Sequence, residues 1–169
     1  MDELYTVISG TNRAGSNTVK VALQYYEILK TRHINAQLYS LEGWKWLHKN
    51  AEYEKVEKEL FVPTTKFIFI SPEYNGSIPG VLKVMFDISD YKKTWWGKKA
   101  LLTGVATGRA GNLRGMEHLT SILHYMRMAV HHNKLPISSI DKLLNGSGVI
   151  EDPSTLSAIN SQLDEFINF

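Results

Sequence analysis

"KFIFISPEYNGSIPG", residues 66–80, joins two stretches of opposite character. Phe67 to Ile70 is apolar at consecutive positions, the pattern of a strand covered on both faces rather than one with a wet side. The loop that follows holds Pro72, Pro79, Gly76, Gly80, a carboxylate, an amide and a tyrosine. A simple chain reversal needs only two to four such residues. The loop is therefore read as a surface that carries something.

Working outward, the same strand type recurs. Leu4 to Ile8 is β-branched and aromatic and stops at Ser9-Gly10, Ala36 to Ser40 gives a second strand, and Ala100 to Val105 a fourth. Ala129 to His131 is the candidate for a fifth. Between them the period changes to helical: Val19, Ala22, Leu23, Tyr26 and Leu29 behind a Ser16/Asn17 cap; Tyr53, Val56 and Leu60 before Pro63; Val81, Leu82, Met85 and Phe86; and Met116, Thr120, Leu123 and Arg127. A last helix starts at Asp152 as cap with Pro153 first, then Leu156, Ile159, Leu163 and Phe166. Strands alternating with helices predict an α/β fold with a parallel sheet. Five strands suit the flavodoxin-like three-layer sandwich of order 2-1-3-4-5, whose ligands lie beyond the carboxyl ends of the strands.

The 169 residues, 43% hydrophobic and 21% charged, fit a single domain over 1–169 with one respectable core. A net charge of +2 with no basic run interleaved with aromatics gives no expectation of nucleic acid as partner. No cysteine is present, which excludes disulfides, thiolate metal sites and a cysteine nucleophile. No signal-peptide pattern opens the chain and no apolar stretch approaches a membrane span, so a soluble cytoplasmic protein is expected, with no membrane partner.

Three loops at the carboxyl ends carry the chemistry. In "SGTNRAGSNT", Ser9, Thr11, Ser16, Asn17 and Thr18 supply hydroxyl or amide groups, Arg13 a planar cation, and the helix start a positive dipole end. Gly10 to Gly15 imitates a nucleotide P-loop, but Ser16 and Asn17 replace its lysine and hydroxyl. The G-x-G-x-x-G pattern also fails, at Asn12. A terminal monophosphate fits this loop, as does a capped helix with a polar turn. In the second loop Pro72, Glu73, Tyr74, Asn75, Gly76 and Ser77 offer a rigid backbone and a flat face. Glu73 is equally read as a carboxylate tying down loop amides, and Tyr74 as ordinary packing. "ATGRAGNLRG", residues 106–115, sets Thr107, Gly108 and Gly111 along the other edge of a flat ring. Arg109 faces the ring's anionic end or solvent, and Arg114 lies exposed within the helix. One loop for a monophosphate and two for a flat polar ring describe flavin mononucleotide, FMN.

These motifs resemble the NADPH-dependent FMN reductase family of flavodoxin-like proteins, which also contains quinone, azo-dye and chromate reductases. "GTNRAGS" is similar to the family's G-S-x-R-x-x-S, with Arg13 and Ser16 in place. "PEYNGSIPGVLKVMFD" follows P-E-Y-N-x-S-x-P-G-x-L-K-x-x-x-D, including Lys83 and Asp87, and "TGRAGNLRG" resembles the glycine-rich third loop. The resemblance implies noncovalent FMN, hydride from NADPH or NADH, and a second acceptor such as free flavin, a quinone or an azo compound. It also implies a homodimer or homotetramer, to which the aromatics between Tyr91 and Trp96 are expected to contribute. Thr11 replaces the usual serine, Ile88 a frequent tryptophan, and Glu42 to Lys58 lacks the usual proline-containing stretch. The cofactor carries the redox chemistry, so no catalytic residue is assigned. A flavodoxin-type electron carrier and a flavin-free module on the same fold are the rival readings; the pI of about 8.7 favours the reductase over the generally acidic carriers.

The remaining features point elsewhere. Adjacent His131 and His132 should point apart in a strand, and His118 and His124 do not share a helix face, so no metal site is expected. "GSG" at 146–148 is not a hydrolase elbow. Trp44, Trp46, Trp95 and Trp96 read as core or interface anchors.

Overall fold

Alternating apolar runs and helical stretches assemble, in a computed structural model describing residues 3–169, into one sheet with helices on both faces. Met1 and Asp2, the first residues of the segment read as leaderless, lie outside the described residues. The strands are β1 (Tyr5–Ser9), β2 (Ala36–Ser40), β3 (Lys66–Pro72), β4 (Lys99–Val105), β5 (Ala129–Val130) and β6 (Leu135–Ile137). The helices are α1 (Asn17–Thr31), α2 (Ala51–Val56), which continues as a π-turn over Glu57–Phe61, α3 (Gly80–Asp87), α4 (Tyr91–Thr94), α5 (Leu113–Tyr125), α6 (Ile140–Leu143) and α7 (Pro153–Ile167). All pairings are parallel and the order is β2-β1-β3-β4-β5, with β6 also beside β4. This is the flavodoxin-like arrangement that the alternation of elements predicts.

The continuous apolar runs have a simple cause. Phe67 and Phe69 enter one core with Met85 and Phe86 of α3, Trp95, and Met116, Leu119 and Leu123 of α5. Ile68 and Ile70, pointing the other way, enter a second core with Val21, Tyr25 and Leu29 of α1 and Ile159, Leu163 and Phe166 of α7. Burial on both sides leaves no position in β3 for a polar face.

Three expectations need correction. The buried face of α1 is Thr18, Val21, Ala22, Tyr25 and Leu29; Leu23 is exposed, because sharing the second core with α7 sets the helix's rotation. Arg127 lies beyond α5 in a left-handed turn (φ 58°), with its guanidinium over Trp96 at 4.0 Å. The fifth strand is broken: β4 advances three residues from Ala100 to Thr103 while the edge advances five, from Val130 to Leu135. The edge takes up the two extra residues as a bulge. His131 and His132 therefore do not alternate, and their ring centroids lie 4.4 Å apart.

A buried polar knot ties α1, β4 and α7. Tyr25 Oη donates to Gln162 Oε1 (2.7 Å), Thr103 Oγ1 donates to the Tyr25 oxygen (2.9 Å), and Gln162 Nε2 donates to the carbonyls of Leu102 (3.0 Å) and Asn133 (2.8 Å). Burial pushes the Tyr25 phenol well above its ordinary value, against the opposing Thr103 hydrogen bond. A phenol raised in the folded state contributes stability that is complete below the unfolded value of about 10 and is lost as pH rises beyond it. Tyr25→Phe should cost about 1 kcal/mol near neutrality. Between about pH 10 and 12 its stability should fall less steeply than wild type, by up to about 1.4 kcal/mol per pH unit. Urea melts at the two pH extremes check this; parallel slopes would show that Tyr25 titrates freely.

Candidate functional site

The three loops leave the carboxyl rim of the sheet within two residues of one another. Ser9 pairs with Ile70, and Pro72 with Val105. The first loop starts with Gly10 N–H donating to Ile70 O (2.8 Å) and ends at Ser16, whose Oγ accepts the Val19 N–H (3.2 Å) as N-cap of α1. The first turn of α1 contains no acidic residue. The N–H groups of Asn17 and Thr18 lack intrahelical acceptors, as in any helix start. The Glu42–Lys58 region braces this loop from outside: Gly43 N–H donates to Asn12 O (3.2 Å), and Asn12 Nδ2 to Trp44 O (3.3 Å).

In the second loop Tyr74 and Ser77 exchange both backbone hydrogen bonds (2.9 and 3.1 Å) around Asn75 (φ 52°) and Gly76 (φ 77°). Positive φ at both central residues makes this a two-residue turn of the I′ kind, for which Asn-Gly is the favoured pair. The amide and the first glycine that distinguish this loop are therefore hairpin chemistry. Pro79 forms the N-cap position of α3. Lys83 and Asp87 pair at 2.5 Å on the exposed side of α3.

The two loops are joined side chain to side chain. Thr11 Oγ1 and Tyr74 Oη lie 2.6 Å apart, and the Arg13 guanidinium sits 4.2 Å from the Tyr74 ring centroid. Tyr74 therefore packs and lines the cleft at once, uniting two readings that the sequence leaves open. The third loop is fixed by close backbone approach. A Cβ on Gly104 of β4 would lie 2.1 Å from Gly111 O, so only glycine permits the contact. Beside it Asn112 is fully buried, left-handed (φ 67°), and donates from Nδ2 to Ser71 O (2.8 Å). The chain after β6 clamps the same loop, with Ser139 N–H donating to Gly108 O (3.2 Å) and Ile140 N–H to Ala106 O (3.1 Å).

Between the loops lies a cleft of about 530 Å³. From the sequence-derived residues it gathers Arg13, Ser16, Asn17 and Thr18 on one side, Pro72, Glu73 and Tyr74 on a second, and Thr107, Gly108 and Arg109 on a third. Six others do not line it. Ser9 is buried at the root of the first loop with its Oγ unpartnered, and Thr11 is buried behind Tyr74. Asn75 and Gly76 form the hairpin tip, and Ser77 Oγ bonds His118 Nδ1 at 2.8 Å. Gly111 packs its backbone against Pro136. Glu73 lines the cleft and ties down no loop amide among the described residues, contrary to one reading of it. Ile140 joins the lining from α6 and has no local signal in the sequence; only the clamp on Ala106 brings it there. Two guanidiniums against one carboxylate, with a helix start opposite, suit an anionic ligand that also has a flat body.

Comparison with known proteins agrees. A sequence profile of the family described as NADPH-dependent FMN reductase matches residues 5–141. The chain is 27% identical to the NADH:(hydroxy)cinnamate reductase subunit CrdA of Vibrio ruber, over 98% of this chain and 86% of the other. Its fold is similar to FerB, a flavoenzyme NAD(P)H:(acceptor) oxidoreductase from Paracoccus denitrificans, with TM-score 0.79, 19% identity, and coverage of 98% and 96%. It is also similar to the apo form of the NADH:FMN oxidoreductase EMOB, with TM-score 0.75, 22% identity, and coverage of 97% and 88%.

The glycine contact gives a paired expectation. Gly104→Ala should destabilise the protein by about 1–3 kcal/mol, because a backbone oxygen must move. Gly108→Ala, with nothing within 4 Å of the added methyl, should leave stability unchanged. Denaturant melts of the two variants check it; equal stabilities would mean that the strand and the third loop are not in contact.

Proposed function

This chain belongs to the NADPH-dependent FMN reductase family, and we propose that residues 1–169 act as one FMN-binding domain. In this reading the domain takes hydride from NADPH or NADH and reduces a small-molecule acceptor. The observation that carries the reading is the convergence of a helix start free of acidic residues and two further rim loops on a single cleft. The donor set fits FMN. Arg13 forms no ion pair among the described residues and can meet a doubly charged phosphate together with Ser16, Asn17 and Thr18. Pro72, Glu73, Tyr74, Thr107, Gly108 and Arg109 would hold the ring. Asn75, Gly76 and Ser77 would border it from the hairpin, and Ser9, Thr11 and Gly111 would support the loops from behind.

When bound, FMN supplies the redox chemistry, accepting hydride and passing reducing equivalents on. The chain's part is to hold and orient. Arg13 would neutralise phosphate charge while its guanidinium rests on the Tyr74 ring, so the phosphate and ring loops would be positioned as a unit. The Thr11–Tyr74 hydrogen bond fixes the ring loop's distance from the phosphate loop. Donor and acceptor visiting one open side in turn would give ping-pong kinetics. The likeness to a (hydroxy)cinnamate reductase makes hydroxycinnamates the first acceptors to try, beside quinones, azo compounds and free flavin.

The reading extends to a homodimer or homotetramer in the cytoplasm. Its support is an apolar groove of about 440 Å³ between α3 and α5, lined by Phe86, Tyr91, Ile122 and Tyr125 among others. Tyr125 is 86% exposed in the single chain. Of the aromatics expected at such a contact, Tyr91 and Trp96 are exposed, while Trp95 is fully buried in the core. No helix among the described residues is long and apolar enough to cross a membrane.

The test is the visible spectrum of protein reconstituted with FMN and mixed anaerobically with NADPH or, separately, NADH. Bound-flavin absorbance that bleaches with either is expected. Bound flavin that neither reduces would make the protein an electron carrier, and no bound flavin would leave only the fold. Arg13→Ala should weaken FMN by about 1.5–3 kcal/mol, or roughly 10- to 150-fold in Kd. An unchanged Kd would move the phosphate elsewhere.

A further inference from the structure

The bulge between β5 and β6 builds a second constellation, well apart from the cleft. His131 follows the point where β5 leaves Ala100, and Ala100 is five residues from Val105 at the rim, about 17 Å along a strand. The bulge sets the two imidazoles side by side, 4.4 Å apart and tilted by 36°. α7 supplies the third member. Gln162 anchors the bulge through the Asn133 carbonyl, and one turn later Glu165 presents its carboxylate to the histidines. One donor atom each from His131, His132 and Glu165 lies within 4.8 Å of the others.

The surroundings of the set are uneven in a telling way. The His131 ring is buried and wedged against Phe166 and Phe169, which fixes its plane. Glu165 is oriented by Asn133 Nδ2 at 3.0 Å, the kind of outer hydrogen bond that positions metal-binding carboxylates. The His132 side chain, 85% exposed, makes no hydrogen bond among the described residues, and its Nε2 is 3.9 Å from Glu165. One member is rigid, one is steered, and one is free to close. A tetrahedral shell with bonds of about 2.0–2.2 Å needs donors about 3.4 Å apart. Rotation of His132 and Glu165, both at the surface, supplies that contraction.

We propose that His131, His132 and Glu165 bind one divalent transition-metal ion of the zinc class, with water completing the shell. Two imidazoles and a carboxylate match the ligand preferences of Zn²⁺ and its neighbours rather than those of Mg²⁺ or Ca²⁺. The ion clips the broken edge of the sheet to the last helix, a structural role independent of the flavin. The geometry overrides the expectation that adjacent histidines diverge, since that expectation assumes an unbroken strand.

Calorimetric titration of tag-free, FMN-loaded protein with Zn²⁺ tests this. One ion per chain is expected in wild type, with affinity at least tenfold weaker in His132→Ala and in Glu165→Gln. FMN affinity should be unchanged in both variants. No saturable one-to-one binding in wild type overturns the proposal, as does wild-type affinity in either variant, which would place the ion elsewhere. If Glu165→Gln does not fold, His132→Ala decides alone, because its side chain is largely in solvent.

Discussion

Parallel register is the constraint on which the rest hangs. β3 and β4 end at one level, with Pro72 beside Val105, and β1 ends two residues lower, with Ser9 beside Ile70. The strands therefore release their loops within two residues of one another along the sheet, and the loops meet instead of scattering. Once they meet, short-range contacts lock them: Gly10 N–H on Ile70 O, Asn112 on Ser71 O, Thr11 on Tyr74, and the Gly104–Gly111 approach that excludes any side chain. The cleft is thus a property of the sheet's edge, which accords with ligands gathering at the carboxyl ends of such sheets.

The cost of so tight a rim is conformational. Asn75, Asn112 and Ser139 all take left-handed backbone, and each sits at a loop that touches or frames the cleft. Asn112 keeps one side-chain oxygen buried without a partner, as does Ser9. Left-handed backbone in the loops and unpartnered polar atoms at their roots fit a preorganised cleft, because flexibility lost before binding need not be lost during it.

Much of this was legible from residue order, for physical reasons. Unbroken apolar runs reported burial on both faces, and cap residues such as Ser16 and Asp152 marked helix starts by chemistry local to a few positions. The loops could be found because glycine, proline and asparagine record backbone geometry directly. What stayed hidden depended on distant partners. The rotation of α1 is set by α7, Ile140 reaches the cleft through a clamp on Ala106, and His131 meets Glu165 only because the edge strand carries two residues too many. None of these leaves a mark in a short window of sequence.

That broken edge has a consequence for the protein's life in a crowded solution. A long, flat outer strand offers unpaired N–H and C=O groups to any other chain and invites sheet-to-sheet growth. Here the outer strand is only two residues, a bulge, and three more, and the last piece contains Pro136, which has no N–H to give. A second sheet arriving at this side finds no continuous ladder to extend. The defect in the fifth strand thus guards against aggregation.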